Sequence, residues 1–340
     1  MLVLGVETSC DETAVAIVKN GRKVFSNIVA SSLHLHKQYG GVVPEIATRH
    51  HVELINFVLD KAIKKARINL PDIDLIACVY GPGLAGALLV GNSLAKALSF
   101  SLNVPFIGIN HIQAHLYAAL MKEEPPEFPF VGLVVSGGHT NLFYVKNYLN
   151  WKIIGATRDD AAGETFDKVA KILKLEYPGG PVIEQQAKEG DPHKIRFPRS
   201  YLEEKSLDFS FSGLKTAVFY YISGKKTNAR LSSSAIPEDV RLNDVAAGFQ
   251  EAVVDILVEK AYNACILKKV KHLVAGGGVV RNHKLRRSLT NRLKGAGIKV
   301  HFPHQDLCQD NAAMVAGLGY QLYKKGIRSQ LSLEIQPNLL

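Results

Sequence analysis

The sequence predicts a duplicated α/β fold of two similar lobes, and three observations carry this. The same order of apolar runs and turns occurs twice along the 340 residues. The polar turns that open the two halves align at one shift, since Ser9 and Ser136, like Thr13 and Thr140, stand 127 residues apart. Glycine turns repeatedly follow an apolar strand-like run and lead into an amphipathic one, the signature of parallel crossovers. At roughly 100–200 residues per domain the length fits two domains.

The first half opens with an apolar strand over 2–6, the polar turn Thr8-Ser-Cys-Asp-Glu-Thr13 and a second strand over 14–18. Asn20-Gly21 is a strong hairpin turn, so a third strand follows over about 23–30. Spacing of apolar residues predicts a helix over about 44–66. Then come a strand over 74–80, the turn Gly81-Pro-Gly83, a helix to about 102, a strand over 104–109 and a helix over 111–121. The second half repeats this with a strand over 130–135, the turn Ser136-Gly-Gly-His-Thr140, and strands over 141–145 and 151–156. Helices over 163–173 and about 237–269 follow, then a strand over 272–275, the turn Gly276-Gly-Gly278 and a helix to about 293. A strand over 299–302 and a helix over about 311–324 close the chain's pattern. Each half reads β-β-β-α-β-α-β-α, the plan of the actin/Hsp70/sugar-kinase (RNase H-like) architecture, two lobes around a central cleft. One lobe is expected from 1–125 plus 305–330 and the other from 126–304. A segment over 175–236, rich in Pro, Ser, Lys and Arg, is an insertion expected to decorate the second lobe and to offer substrate contacts.

Composition narrows the class. Apolar residues are 47%, charged residues 21% and mean hydropathy is +0.04, an ordinary globular profile rather than a disordered one. The apolar runs fall short of the ~18–20 residues of a membrane span. The opening MLVLGVETSCDET has no basic segment and no small-residue cleavage site, so no signal peptide is read and the cytoplasm is expected. Cys10, Cys78, Cys265 and Cys308 form no CxxC pair and are read as free thiols. The net charge of +10 permits an anionic partner. Ten Lys or Arg and no acid fall between 268 and 305: Lys268, Lys269, Lys271, Arg281, Lys284, Arg286, Arg287, Arg292, Lys294 and Lys299. That bias suits a phosphate backbone or a partner protein, and His193-Lys-Ile-Arg-Phe-Pro-Arg199 adds a second basic patch.

Two kinds of site stand out. In HIQAH, His111 and His115 are spaced i, i+4 and share a helix face, which suits a divalent metal. Asp310, at the start of a predicted helix, is the candidate third ligand, and two His with one carboxylate fit iron or zinc. Ile112 stands where a zinc protease would carry its general-base Glu, which argues against a metalloprotease. The turns at Ser136–Thr140, Tyr177–Pro181 and Gly276–Gly278 are candidate anion cradles, and together they point to a nucleotide. No GxxxxGK[ST] phosphate loop and no GxSxG is present, and Gly81-Pro-Gly-Leu-Ala-Gly86 lacks the downstream ribose acid of a dinucleotide fold.

The segments ETSCDETAVAI, YGGVVPEIATRHH, GPGLAGALLVG, INHIQAH, LVVSGGHT, DDAAGETFDK, YPGGP, DFSFSGLKTAV, VAGGGVVRN and QDNAAMVA span nearly the whole chain. In this order they resemble the threonylcarbamoyl transferases of tRNA, the TsaD/Gcp family, in its bacterial and mitochondrial branch. Archaeal members carry a metal-binding Tyr just before SGG, and Val134-Val135 stand here instead.

The resemblance implies an acyltransferase that moves a threonylcarbamoyl group from threonylcarbamoyl-AMP to N6 of adenosine 37, in tRNAs reading codons that begin with A. It implies one divalent metal per subunit, read as iron before zinc, on His111, His115 and Asp310. It implies adenylate contacts at Val134, Val135, Ser136, Gly137, Gly138, Asp167, Gly180, Glu184 and Asn282, and it places Asp11 and Glu12 near the reacting centre. Expected partners are tRNA, a TsaB-like smaller paralogue and a TsaE-like ATPase, or a second copy as in mitochondria, with no membrane. The donor is already activated, so the work is positioning and carbonyl polarisation, with no Ser or Cys nucleophile required. A sugar-kinase-type phosphotransferase would need a catalytic Asp base and carboxylate-bound Mg²⁺. A scaffold with a relic nucleotide site would have lost its metal ligands.

Overall fold

The computed structural model describes residues 1–200, 206–223 and 241–339. The chain forms two compact units, the first from Met1–Pro126, Asn147–Asn150 and the chain from Phe302 onward, the second from Glu127–Lys146 and Trp151–His301.

The first unit contains β1 (Leu2–Glu7), β2 (Glu12–Lys19), β3 (Lys23–Ser31), α1 (Leu33–His36), α2 (Pro44–Ala66), β4 (Leu75–Gly81), α3 (Ala85–Leu102), β5 (Phe106–Asn110) and α4 (His111–Ala118). The second contains β6 (Phe130–Val135), β7 (Thr140–Asn147), β8 (Asn150–Ala156), α5 (Ala162–Ile172), α6 (Gly179–Ala187), α7 (Ser212–Ser223), α8 (Leu242–Lys268), β9 (His272–Gly276), α9 (His283–Lys294) and β10 (Lys299–His301). From the far end of the chain, α10 (Ala312–Lys324) returns to the first unit.

Both sheets have five strands, in the orders β3-β2-β1-β4-β5 and β8-β7-β6-β9-β10. In the first, β1–β2 and β2–β3 are antiparallel and β1–β4 and β4–β5 parallel. The second repeats this, with β6–β7 antiparallel and β6–β9 and β9–β10 parallel. The two units therefore share one topology, which is the duplicated actin-like plan.

The two faces of the first sheet are built differently. Leu4, Val6, Val15, Ile17, Ile76 and Cys78 on one face pack with Ile55, Val58 and Ala62 of α2. On the other face the register puts Gly5 beside Ala16 and Ala77, a strip with almost no side chain. That strip admits α10 at very short range: a Cβ on Gly5 would lie 2.3 Å from the Ala312 carbonyl, and one on Gly319 would lie 2.6 Å from the Ala77 methyl. The seam fixes the start of α10, and with it Asp310, at the end of β1. Glu7 and Ala14 are cross-strand partners two positions on from Gly5 and Ala16, so Glu7 points to that same face.

Helix α3 has a mean hydropathy of 1.3 over 18 residues, so by length and composition it could cross a membrane, contrary to the expectation that no run is that long. Here it is the β4–β5 crossover, with Ala87, Leu88, Gly91, Asn92, Ala95 and Ser99 buried. The chain after α10 lies against the first unit: Ser329 bridges Phe106, Lys96 donates to the Leu333 carbonyl at 2.5 Å, and Gln336 N–H donates to the Tyr80 carbonyl at 2.7 Å.

The 175–236 insertion is not a surface decoration where it is described. It contributes α6 and α7, and Phe209 and Phe211 are fully buried and stacked. Asp159 ties this segment down, accepting from Ser210 Oγ at 2.5 Å, Phe211 N–H at 2.8 Å and Ser212 Oγ at 2.9 Å. The remainder of the insertion, 201–205 and 224–236, and the expected start of the long helix at 237 lie outside the described residues.

Candidate active site

The metal ligands predicted from sequence come together within the first unit. Asn110 ends β5 and caps α4, its Oδ1 accepting from Ile112 N–H at 2.9 Å and Gln113 N–H at 3.1 Å. His111 and His115 thus begin the helix one turn apart, with ring centroids 4.6 Å from each other. Asn311 caps α10 by accepting from Met314 N–H at 3.1 Å, which sets Asp310 just ahead of that helix. Asp310 Oδ1 lies 3.1 Å from His115 Nε2 and 3.7 Å from His111 Nε2, and the three donor atoms all lie within 4.8 Å of one another.

The donor set fits a divalent ion. His115 is 1% exposed and its Nε2 makes no hydrogen bond, facing the Asp310 carboxylate. His111 Nδ1 donates to Glu7 Oε2 at 2.8 Å and lies 3.1 Å from Ser9 Oγ. A proton held on Nδ1 leaves the Nε2 lone pair for a metal, the usual carboxylate–histidine arrangement behind a ligand. Glu7 is itself fully buried, and its Oε1 accepts from Ser9 N–H at 2.6 Å. Burial works against charge on His111 and is its largest single influence. Glu7 and Asp310 outweigh it and lift the imidazole to about 9, so the pocket favours a cation. Sequence reasoning missed Glu7. Its signal was an acid directly after the apolar run of β1.

Asp11 and Glu12 lie beside this cluster. Burial, then repulsion from Asp310 and Asp11, pushes the Glu12 carboxyl well above the usual carboxylate range. The Cys10 thiol is raised by burial and then by Asp11, Asp310 and Glu12, which keeps it a protonated thiol and a poor nucleophile.

The second group of predicted residues gathers within the second unit on three glycine turns. Val134 and Val135 are fully buried at the end of β6 and supply backbone only. The turns are drawn together by close backbone approach. A Cβ on Gly163 would meet the Ser136 carbonyl at 2.5 Å, one on Gly179 the Phe166 carbonyl at 2.4 Å, and one on Gly277 the Val135 carbonyl at 2.3 Å. Gly137, Gly138, Gly180 and Gly278 are the opposite kind: a Cβ on any of them would meet nothing within 4 Å. One set of glycines packs the turns and the neighbouring set leaves an open backbone surface. Among the described residues, the N–H groups of Gly137 and Gly138 make no hydrogen bond within the chain, as an anion nest requires.

Several polar side chains expected to contact a ligand are engaged in the scaffold. Ser136 Oγ accepts from His139 N–H at 3.2 Å and Thr140 Oγ1 from Ala162 N–H at 2.9 Å, so the two hydroxyls shape the turn. Asp167 Oδ1 accepts from Gly179 N–H at 2.6 Å and anchors the start of α6. Glu184 Oε1 accepts from His283 N–H at 2.8 Å. Asn282 caps α9 through Leu285 N–H at 2.9 Å and donates to Gln250 Oε1 at 2.8 Å, a partner the sequence did not reveal.

The basic tract is less one-sided in space than along the chain. Helix α8 supplies acids to it: Arg292 pairs with Glu259 at 2.7 Å and Lys284 with Glu251 at 2.6 Å. Arg286 Nε donates to the Val280 carbonyl at 2.6 Å, whereas Arg287, Lys294 and Lys299 are exposed.

The duplicated actin-like fold defines an α/β protein of two repeated units, with a His₂Asp cluster that could hold a metal in one and open glycine turns in the other. Solved structures agree on the fold. HypF of T. kodakarensis matches with a TM-score of 0.63 at 16% identity, over 96% of this chain and 48% of that one. Component A of the Acidaminococcus fermentans (R)-2-hydroxyglutaryl-CoA dehydratase matches with a TM-score of 0.55 at 16% identity, over 95% and 99%. The profile of "TsaD: tRNA N6-adenosine threonylcarbamoyltransferase" matches residues 23–317. Enzymes of that name from Clostridioides difficile (strain 630) and Thermotoga neapolitana are 49% and 48% identical to this chain. Each alignment covers 100% of the chain, with 98% and 99% of the relatives. The chain belongs to the TsaD family of tRNA N6-adenosine threonylcarbamoyltransferases, acyltransferases that form t6A at position 37 of tRNA and carry a metal cofactor.

Proposed function

We propose that the chain takes the threonylcarbamoyl group from threonylcarbamoyl-AMP, with the adenylate on the glycine turns and the metal, iron, on His111, His115 and Asp310. The observation that carries this reading is the buried Nε2 of His115, which makes no hydrogen bond and faces the Asp310 carboxylate, backed by the Glu7–His111 pair. Two imidazoles and one carboxylate leave open positions, the donor set of non-haem iron sites. When bound there, the metal supplies Lewis acidity toward a carbonyl oxygen.

The chain's own residues do the rest. Gly137 and Gly138 offer N–H groups to the phosphate, and Gly180 and Gly278 let backbone approach the nucleoside. Asp167, Glu184 and Asn282 hold these turns in place and meet the ribose and base with the acceptor and donor capacity their scaffold bonds leave. Glu7 fixes the His111 tautomer. Asp11 and Glu12 place carboxyl groups beside the reacting centre, where the raised Glu12 carboxyl is suited to accept the proton that adenosine N6 loses.

The test is transfer of labelled threonine and bicarbonate onto tRNA in the presence of ATP, a threonylcarbamoyl-AMP synthase and the partner proteins. Label at adenosine 37 that requires this chain supports the reading; equal label from the chain with Asp310→Ala overturns the assigned centre.

The partners proposed are a TsaB-like paralogue and a TsaE-like ATPase. Exposed apolar residues on α2 and α3, Val52, Phe57, Leu89 and Phe100, support a protein partner, with Phe100 78% exposed. For tRNA, the exposed cations Arg287, Lys294 and Lys299 support electrostatic docking. Charge reversal of these three is expected to weaken tRNA binding and lower its salt slope by about one unit per lost phosphate contact. Filter binding across a salt series reads this, and an unchanged slope assigns the tract to a solvated surface.

A further inference from the structure

Three successive carbonyls of the loop that carries Asp11 and Glu12 are held by different parts of the first unit. The Ser9 carbonyl accepts from Leu84 N–H at 2.8 Å. The Cys10 carbonyl accepts from Nε2 of His51 at 3.0 Å. The Asp11 carbonyl accepts from both N–H and Oγ–H of Ser32, each at 2.9 Å. Ser32 Oγ in turn lies 2.9 Å from Nε2 of His36.

These partners fix where the protons sit. A carbonyl only accepts, so His51 carries its proton on Nε2, and its Nδ1 accepts from Thr13 Oγ1 at 2.7 Å. Val43 N–H donates to Nδ1 of His36 at 3.3 Å, so His36 also carries its proton on Nε2. Ser32 Oγ accepts that proton's hydrogen bond and passes its own to the Asp11 carbonyl. Both imidazoles are 0% exposed, and burial lowers His51, which keeps it neutral.

The loop needs this restraint. Burial, then like charge from Asp310 and Asp11, pushes the Glu12 carboxyl up, so electrostatics opposes keeping these groups together and the backbone bonds above hold the loop against it. We propose that His51 and His36 are positioning residues for the transfer reaction, holding the backbone of Cys10 and Asp11 so that the Asp11 and Glu12 carboxylates stay beside the metal cluster. The inference rests on the placement of Asp11 and Glu12 at the reacting centre made under the proposed function.

The two ring nitrogens of His51 allow a clean test. A glutamine amide reaches the Nε2 position and keeps the donor to the Cys10 carbonyl. An asparagine amide reaches only the Nδ1 position, keeping the Thr13 contact and losing the carbonyl. The full-length chain with each substitution is assayed with its partners for kcat and for KM toward tRNA, beside its metal content and thermal midpoint. Positioning predicts that His51→Asn lowers kcat by about 10²-fold, the effect of a misplacement near 1 Å. KM, metal content and midpoint should stay near the parent's, while His51→Gln restores most of kcat. Equal kcat in the two variants, or a loss that follows the midpoint or KM, overturns the proposal and leaves His51 a packing residue.

Asp11→Asn and Glu12→Gln separate the layers. If both transfer at the parent rate, the placement of these acids falls and the positioning role falls with it. If they are inactive while His51→Asn is fully active, only the histidine inference falls. Should His51→Asn not fold, Ser32→Ala removes the Oγ bond to the Asp11 carbonyl together with its His36 support, keeps the Ser32 N–H bond and the His51 link, and is expected to lower kcat with KM unchanged; parental kcat there counts against the proposal.

Discussion

Protein with Asp310→Ala is expected to fold as the parent does and to lose its bound metal and its transfer activity together. The carboxylate is the only anionic member of the predicted ligand set, and its side chain is 18% exposed, so truncation leaves no large buried void. Removing it leaves two imidazoles one helical turn apart, too few to hold a hard or borderline divalent ion in dilute solution. Glu7→Gln should give a graded version of the same result. The amide keeps the shape but not the charge behind His111 Nδ1, a loss that typically weakens metal affinity or activity by about 10–100-fold. Elemental analysis and titration of metal-stripped protein with Fe²⁺ and Zn²⁺ read both variants. Parental metal content in Asp310→Ala would remove the cluster from the mechanism. Equal affinity of Glu7→Gln and parent would reduce Glu7 to a structural partner of Ser9.

The cluster also shows how far the sequence could be read. His111 and His115 were legible because i, i+4 spacing is local and the helix that carries them starts immediately. Helix α2 was legible because its apolar spacing is local and Pro44 stands at its first position, whereas the left-handed Arg67 at φ 57° that ends it carries no sequence signal of its own. Helix α6 was not: Tyr177-Pro-Gly-Gly-Pro181 reads as a turn, and what makes it a helix start is Asp167, whose Oδ1 accepts from Gly179 N–H. Helix α7 was hidden for the same reason, since the acceptor at its start is Asp159, 52 residues before Phe211. Distant side chains that satisfy the first turn of a helix leave no local trace. Glu7 escaped because it continues an apolar strand, and its role depends on a histidine 104 residues away. The partners of the basic tract were equally invisible, because the acids that pair with Lys284 and Arg292 come from α8 rather than from the tract's own segment.

The two kinds of glycine in the second unit should respond to substitution in opposite ways. Gly163 has no room: its Cβ would lie 2.5 Å from the Ser136 carbonyl and 2.8 Å from the Gly137 Cα, both backbone atoms. Gly163→Val must therefore push α5 away from the Ser136–Thr140 turn, an overpacking that costs about 1–3 kcal/mol and lowers the thermal midpoint by several degrees. Gly137 has room, since nothing lies within 4 Å of its Cβ, and its φ is not in the left-handed region. Gly137→Leu should melt as the parent does, yet its side chain would occupy the surface assigned to the phosphate. Its affinity for an AMP-containing analogue should fall at least about tenfold, equivalent to ~1.4 kcal/mol. Calorimetry with the analogue, beside a melt of each variant, distinguishes packing from binding. A Gly137→Leu protein with parental midpoint and parental affinity would show that the open glycine surface is not where the adenylate sits.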